Sequence, residues 1–323
     1  MIVAVTGASG FIGAHLVAAL VQEGTSVRAI VRSAAAKVPE GAARCPVADL
    51  ADASALARAF KGADAVVHLA GRAHLLRDQA LDPIAAFRQV NVEGTRQVIS
   101  AAATAGVGRF LLASSVKAVG EETEIPWTEH TVPAPVDPYG RSKLEAEQLT
   151  RAHDRPGAMR TTILRLPLVY GPGAGANVRR LIKLVESGFP LPLASVRNRR
   201  SMAFVGNVVA AINAVLRSPG TAGETLYVSD GEDLSTPQLI RLIAASLGRP
   251  ARLVRAPVGF LELAGRMADR FGIPVGSQEV RRLTRSLVVD ASRLGRLAGF
   301  HPPFSAAEGW RLGVAAYLAE REG

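Results

Sequence analysis

Short apolar runs recur along the first half of the chain, separated by segments with helical spacing. Ile2–Thr6, Ser26–Val31, Ala43–Val47, Ala65–Ala70, Arg109–Ser114 and Thr161–Val169 read as strands. Ile12–Gln22, Ala53–Phe60, Ile84–Ala105 and Tyr139–Ala152 read as helices between them. Strict alternation of this kind predicts βαβ units, and hence an α/β fold with a doubly wound parallel sheet. Runs such as IVAV and AVVHLA are apolar at nearly every position instead of every second one. Strands covered on both faces have that pattern. After Gly171 the rhythm breaks. The cluster GPGAG (Gly171–Gly175) is followed by a short basic helix (Val178–Gly188), a strand running into a helix (MAFVGNVVAAINAVL), the strand TLYVSD and the helix STPQLIRLIAASLG. Residues 1–170 are therefore expected to form the sheet domain, and 171–323 mainly a smaller α+β region, with the chain returning to the sheet around 202–230.

Composition narrows the classes. Of 323 residues, 48% are hydrophobic and only 5% aromatic, so the core is built mainly from Ala, Val and Leu. No repeat or low-complexity tract points to a solenoid or a disordered chain. The start runs directly into a strand, and no secretory signal is expected. The apolar stretch Val205–Leu216 is broken by Asn207 and Asn213 and is shorter than the roughly 20 residues a spanning helix needs, so no membrane insertion is expected. A single cysteine, Cys45, rules out an internal disulfide and a multi-cysteine zinc site, and a cytoplasmic location is the default. The net charge of +10 suits an anionic partner, but is more simply a surface of solvated arginines. Its small clusters at Arg197–Arg200 and Arg281–Arg285 come with no nucleic-acid motif, so no nucleic-acid partner is expected.

Thr6–Gly13 reads TGASGFIG, at the junction of the first strand and the first helix. Gly7 permits a tight turn, Gly10 lets backbone approach a pyrophosphate, and Gly13 permits close helix–strand packing. The N–H groups of the helix start, at Phe11 and Ile12, face the phosphates. The pattern, with GxxGxxG spacing, reads as a Rossmann-type dinucleotide loop, or else as a glycine-rich turn. The second strand ends in AIVRS, without the acid that would bind a ribose 2′-hydroxyl. Arg32 is placed to meet a 2′-phosphate there, or is a solvated strand-end arginine; NADP(H) is favoured over NAD(H). Asp49, followed by Leu50, is either an acceptor for the adenine amino group or a helix cap. Leu69, Ala70 and Gly71, closing the fourth strand, complete the expected cofactor contacts.

Asp137–Lys143 reads DPYGRSK, with Asp137 as cap, Pro138 in the first helical turn, and Tyr139 and Lys143 four apart on one face. A nearby ammonium lowers a phenol pKa, which predicts Tyr139 to be an acid–base group working near neutral pH.

GxxGxxG, serines after a later strand, and YxxxK on the next helix together resemble the short-chain dehydrogenase/reductase superfamily. NVEGT (Asn91–Thr95) and RLPLVYGPG (Arg165–Gly173) resemble its extended members that act on nucleotide sugars. The resemblance covers nearly the whole chain. It implies Ser115, five residues before Gly120, as the hydroxyl that polarises the substrate carbonyl, with Tyr139 and Lys143 completing a triad and Asn91 near the cofactor. Extended dehydratases carry an Asp–Glu pair directly after the hydroxyl residue; here Val116 and Lys117 stand there, which removes 4,6-dehydration. The strings HLAGRAH, SSVKAVGE, DPYGRSKLEAEQ and GFPLPLASVRNRRSMAFVGNVVAAI resemble bacterial reductases acting on UDP-4-keto-6-deoxy-N-acetylhexosamine in surface-polysaccharide synthesis. A UDP-sugar substrate implies arginine at its phosphates. The resemblance assigns Arg200 to that contact, with Ser201 replacing the family aspartate, and makes Asn177 and Arg180 weaker substrate candidates. Arg281, Arg282 and Arg285 either supply a second phosphate contact or form a solvated helix face. His74 is a candidate for the sugar pocket or a structural histidine. A UDP-hexose 4-epimerase with tightly held NAD and a non-catalytic NADP-binding regulator remain the alternatives. Family members often form homodimers through a four-helix contact.

Overall fold

The computed structural model describes residues 1–72, 82–271 and 276–322. In chain order the first half contains β1 (Ile2–Thr6), α1 (Phe11–Gln22), β2 (Ser26–Val31), β3 (Ala43–Pro46), α2 (Ala53–Phe60), β4 (Ala65–His68), α3 (Pro83–Phe87), a π-helical turn (Arg88–Glu93), α4 (Gly94–Thr104), β5 (Arg109–Ser115), α5 (Pro138–Ala152) and β6 (Arg160–Leu166). The second half contains β7 (Leu168–Tyr170), α6 (Ala176–Glu186), β8 (Arg200–Phe204), α7 (Val205–Arg217), β9 (Thr225–Tyr227), β10 (Asp233–Leu234), α8 (Thr236–Ser246), α9 (Val258–Arg270), α10 (Ser277–Thr284), α11 (Ser292–Ala298) and α12 (Ala306–Glu322).

Seven strands pair in the order β3-β2-β1-β4-β5-β6-β9, every pair parallel. Alternate residues of each strand point to opposite faces. Val3, Val5, Ala29, Val31, Val67 and Leu164 pack under α1 and α7, whereas Ala4, Ile30, Val66, Phe110 and Ile163 pack under α2 and α4. Both faces are therefore covered, which explains strands that are apolar throughout. This is the doubly wound, Rossmann-type sheet that the alternation predicts.

Two expected elements take a different form. The run 161–169 is not one strand. β6 pairs with β5 and β9, the chain passes Pro167, and β7 enters a second sheet of order β10-β8-β7. Proline has no N–H for a ladder, so the main sheet ends there. The helix expected over 84–105 is continuous but wound wide at its centre, where six residues form the π turn. Ser235 caps α8 in a full capping box with Gln238.

The three-stranded sheet, α6, α8 and α12 enclose a further core in which Tyr170 stacks on Trp310 at 4.4 Å. β9, at the edge of the main sheet, and α7, packed over α1, come from beyond Gly171, so the two parts are interwoven. Among the described residues no helix is long and apolar enough to cross a membrane.

Candidate active site

The glycine loop closes around the end of β1. Gly7 has φ +68°, and a Cβ there would lie 2.7 Å from the Ala70 nitrogen. Only glycine lets this turn press against Leu69–Ala70. A Cβ on Gly13 would sit 2.1 Å from the Gly7 carbonyl, so α1 is packed directly onto the turn. Gly10 caps α1 with no side-chain acceptor. The first-turn N–H groups of Phe11, Ile12 and Gly13 are thus left to an external acceptor, at the positive end of the helix dipole. The bare amides and the missing Cβ atoms fit a dinucleotide diphosphate.

On the adenosine side, Arg32 is exposed beyond β2 and has no ion pair among the described residues. Asp49 is exposed and accepts the Ala51 N–H at 3.0 Å. The cap of α2 is Asp52, bonded to the Ala55 N–H at 2.8 Å, so the cap alternative for Asp49 falls away. Leu50 packs beside Gly94 at the start of α4.

A buried polar chain ties this loop to α5. The Thr6 hydroxyl lies 2.6 Å from His68 Nδ1, and His68 Nε2 lies 3.0 Å from the Thr95 hydroxyl. Thr95 donates to the Asn91 carbonyl at 2.6 Å, so it accepts from His68 Nε2–H, and Nδ1 accepts from Thr6. Burial, with the Lys143 charge adding to it, pulls the His68 pKa down to about 3 and keeps the ring neutral. Asn91, on the π turn, accepts the Arg72 N–H at 2.8 Å and donates to Ser142 Oγ at 2.9 Å. Ser142 in turn donates to the Tyr139 carbonyl at 2.7 Å. Widened turns of this kind are frequent at functional sites. The chain involves Thr6, His68, Thr95 and Ser142, which the sequence reading did not single out. A histidine inside the otherwise apolar AVVHLA was the available signal.

Ser115 ends β5, and Tyr139 and Lys143 lie one turn apart on α5. Asp137 caps this helix through the Gly140 N–H at 2.6 Å. The Tyr139 ring meets Phe87 edge-on at 5.7 Å, and its phenol is within hydrogen-bonding reach of the Ser115 hydroxyl. The ring remains partly exposed, yet the protein around the phenol pushes its pKa up to about 12. The Asp137 charge adds to the rise and the Ser115 contact opposes it. Lys143 does not make the phenol acidic. Its ammonium donates to the Ala113 carbonyl at 2.7 Å and lies beside Gly71, and burial lowers its own pKa to about 8 against the pull of Glu147. The expected depression of the Tyr139 pKa is therefore absent from this arrangement, and the phenol keeps its proton at neutral pH.

The two positions after Ser115 have definite roles. Val116 is buried. The Lys117 ammonium bridges Glu121 at 2.7 Å and the capping Asp137 at 2.8 Å. A Cβ on Gly140 would lie 2.3 Å from the Lys117 carbonyl, so this segment presses on the first turn of α5. Ser114 faces away and donates to Glu147 at 2.6 Å. Glu147 is fully buried and takes a two-pronged contact from Arg165, at 3.0 and 2.8 Å. This ion pair fixes α5 against β6 from behind.

The substrate candidates are less converged. Arg200 Nη1 donates to the carbonyls of Arg282 and Arg285 at 2.9 and 3.2 Å, joining β8 to α10. Ser201, in the place of the family aspartate, donates to Asp233 at 2.5 Å and accepts the Val289 N–H. Asn177 and Arg180 are exposed on α6, and no hydrogen bond among the described residues links Asn177 to the triad. Arg281 pairs with Glu122 and Arg285 with Glu262, both partly exposed contacts. His74 lies outside the described residues.

Residues 3–228 match the model of the NAD dependent epimerase/dehydratase family. The chain belongs to that family. It is an NAD(P)-dependent enzyme of the extended short-chain dehydrogenase/reductase type. It is similar to a UDP-glucose 4-epimerase of Vibrio cholerae, 34% identical over 97% of this chain and 94% of that protein. It is also similar to an Escherichia coli O157:H7 N-acetyl-alpha-D-glucosaminyl-diphospho-ditrans,octacis-undecaprenol 4-epimerase, 29% identical over 94% of this chain and 91% of that one. Among solved structures, MoeE5 in complex with UDP-glucuronic acid and NAD aligns with a TM-score of 0.78 at 25% identity, covering 99% of this chain and 100% of the other.

Proposed function

We propose that this family member reduces the C4 ketone of a UDP-4-keto-6-deoxy-N-acetylhexosamine, giving UDP-N-acetylquinovosamine or UDP-N-acetylfucosamine for surface-polysaccharide synthesis. The observation that carries this reading is the Tyr139 phenol within hydrogen-bonding reach of the Ser115 hydroxyl, with Lys117 already held in two ion pairs. Such a site offers one proton donor and no spare acid–base pair for elimination. The cofactor, when bound, supplies the hydride. Ser115 and Tyr139 donate hydrogen bonds to the ketone oxygen and stabilise the charge that develops on it. Tyr139 then passes its proton to that oxygen, which closes the reduction to an alcohol. Gly7, Gly10 and Gly13 cradle the diphosphate with the amides of Phe11 and Ile12. Leu50, Leu69, Ala70 and Gly71 line the cofactor, and Lys143 and Asn91 hold the ribose side. Arg32 favours NADP(H) through the 2′-phosphate, and Asp49 accepts from adenine. Arg200 and Asn177 serve the substrate phosphates.

The test is turnover of UDP-4-keto-6-deoxy-N-acetylglucosamine with NADPH or NADH, followed by cofactor oxidation, with the product identified by NMR. Tyr139→Phe is expected to lose at least about 10²-fold in turnover. Near-normal turnover in that variant would sink the mechanism, and faster turnover with NADH would overturn the role of Arg32. The Vibrio cholerae relative favours a second reading, a UDP-hexose 4-epimerase. That enzyme would purify with NAD bound and interconvert C4 epimers without added reductant, whereas the reductase consumes reduced cofactor each turn.

A further inference from the structure

α9 carries an apolar stripe on its solvent side. Phe260, Leu263, Met267 and, just past the helix end, Phe271 are 63%, 58%, 46% and 70% exposed. Their spacing puts them on one face. Leu261 and Gly265 form the opposite, buried face; a Cβ on Gly265 would lie 3.0 Å from Ser277 of α10. Single exposed apolar residues are ordinary, but three aligned on one helix with a fourth at its end are a surface.

The charges on the helix are sorted as well. Both acids turn toward α10 and the segment leading into it. Glu262 pairs with Arg285 at 2.6 Å, and Asp269 accepts the Ser277 N–H at 3.2 Å. Arg266 and Arg270 are exposed along the border of the stripe, and neither has an acidic partner among the described residues. The outward face is therefore Phe, Leu, Met and Phe with a purely cationic edge.

We propose that this face of α9 docks peripherally on an anionic lipid bilayer. A helix with aromatic and aliphatic side chains on one face and arginine at the border suits the boundary between headgroups and acyl chains. The chain's charge of +10 adds a longer-range attraction to anionic headgroups. A second copy of the chain is the poorer occupant: two such faces would bring four arginines together with no acid to meet them. The helix has 13 residues, so it lies on the surface and does not cross it. α10, on which α9 packs, is in turn bonded through Arg281 to Glu122, in the loop after Ser115.

The experiment is flotation of the purified full-length chain with vesicles made of equal parts phosphatidylcholine and phosphatidylglycerol, against vesicles of phosphatidylcholine alone. The wild type is expected to float with the anionic vesicles and to be released by high salt. Phe260→Ser with Leu263→Ser, and separately Arg266→Gln with Arg270→Gln, should each weaken vesicle binding by about tenfold or more while melting temperature and turnover stay unchanged. A wild type that never floats, or variants that float as well as it does, overturns the proposal. So does a dimer in solution that Phe260→Ser splits, since that would assign the stripe to a second copy.

Discussion

Tyr139 and Lys143 could be paired by spacing alone, but the pairing did not reveal what each group does to the other. The structure sends the Lys143 ammonium to the Ala113 carbonyl, leaving the phenol governed by burial, by the Asp137 charge and by Ser115. Lys117 enters at the same scale. It neutralises Asp137, the carboxylate whose field raises the Tyr139 pKa. Lys117→Met should leave that field uncompensated and move the tyrosine ionisation further up, because a nearby negative charge disfavours the phenolate. The alkaline limb of the pH–rate profile and ultraviolet titration of the phenol are the measurements. Stability should fall by about 1 kcal/mol as the cap loses its clamp, discounted for the partial exposure of the pair, and Lys117→Arg should restore both. An ionisation that stays in place in the Met variant would show that Lys117 has only a structural part. Nothing in the string SSVK announced this role, since Asp137 is 20 residues further along.

At the scale of elements, the glycine loop was the most legible feature. Its junction of strand, turn and helix lies within one stretch of chain, and the close approaches at Gly7 and Gly13 follow from local geometry. Gly13→Ala would drive a methyl group into the Gly7 carbonyl, so α1 must shift away from the turn and carry its free N–H groups with it. Affinity for NADPH, measured by calorimetry, should drop by about tenfold or more, as expected when a few charge-assisted hydrogen bonds are lost. Unchanged affinity would mean the cradle tolerates the shift and that the diphosphate is held elsewhere. The division at Pro167 was less visible. Apolar character continues through LRLPLVY, and only the change of pairing partner, from β5 and β9 to β8, separates the two strands. The π turn was equally hidden, because Asn91 gains its purpose from Arg72 and Ser142, on two other parts of the fold.

For the molecule as a whole, the buried chain from Thr6 through His68 and Thr95 to Asn91 links β1, β4 and the π turn, and it makes stability depend on pH. The folded pKa of His68 lies near 3, below the unfolded value. Below the unfolded value of about 6.5 the unfolded chain binds a proton that the folded one refuses. This contribution is complete above that point and is lost as pH falls through the window toward 3. Between about pH 7 and about pH 4 the wild type should lose about 3 kcal/mol through this group. His68→Asn, which keeps a donor and an acceptor, should lack that component. Denaturant unfolding of both proteins across the range checks it, and parallel pH curves would remove His68 as the cause.

The grouping of Ser115 with Tyr139 and Lys143 rested on the resemblance to the short-chain dehydrogenase/reductase superfamily. The order of strands and helices in the first half, the two-faced sheet and the dinucleotide loop were readable in the sequence itself. Each depends on periodicity or on spacing within a short stretch, which chain geometry turns directly into a face or a turn. Tertiary structure alone decided that β6 and β7 belong to different sheets, that Lys117 clamps Asp137, that the acids of α9 face α10 and leave its arginines bare, and that His68 and Tyr139 keep their neutral forms. Those properties come from desolvation and from partners distant in the chain, and both exist only once the chain has packed.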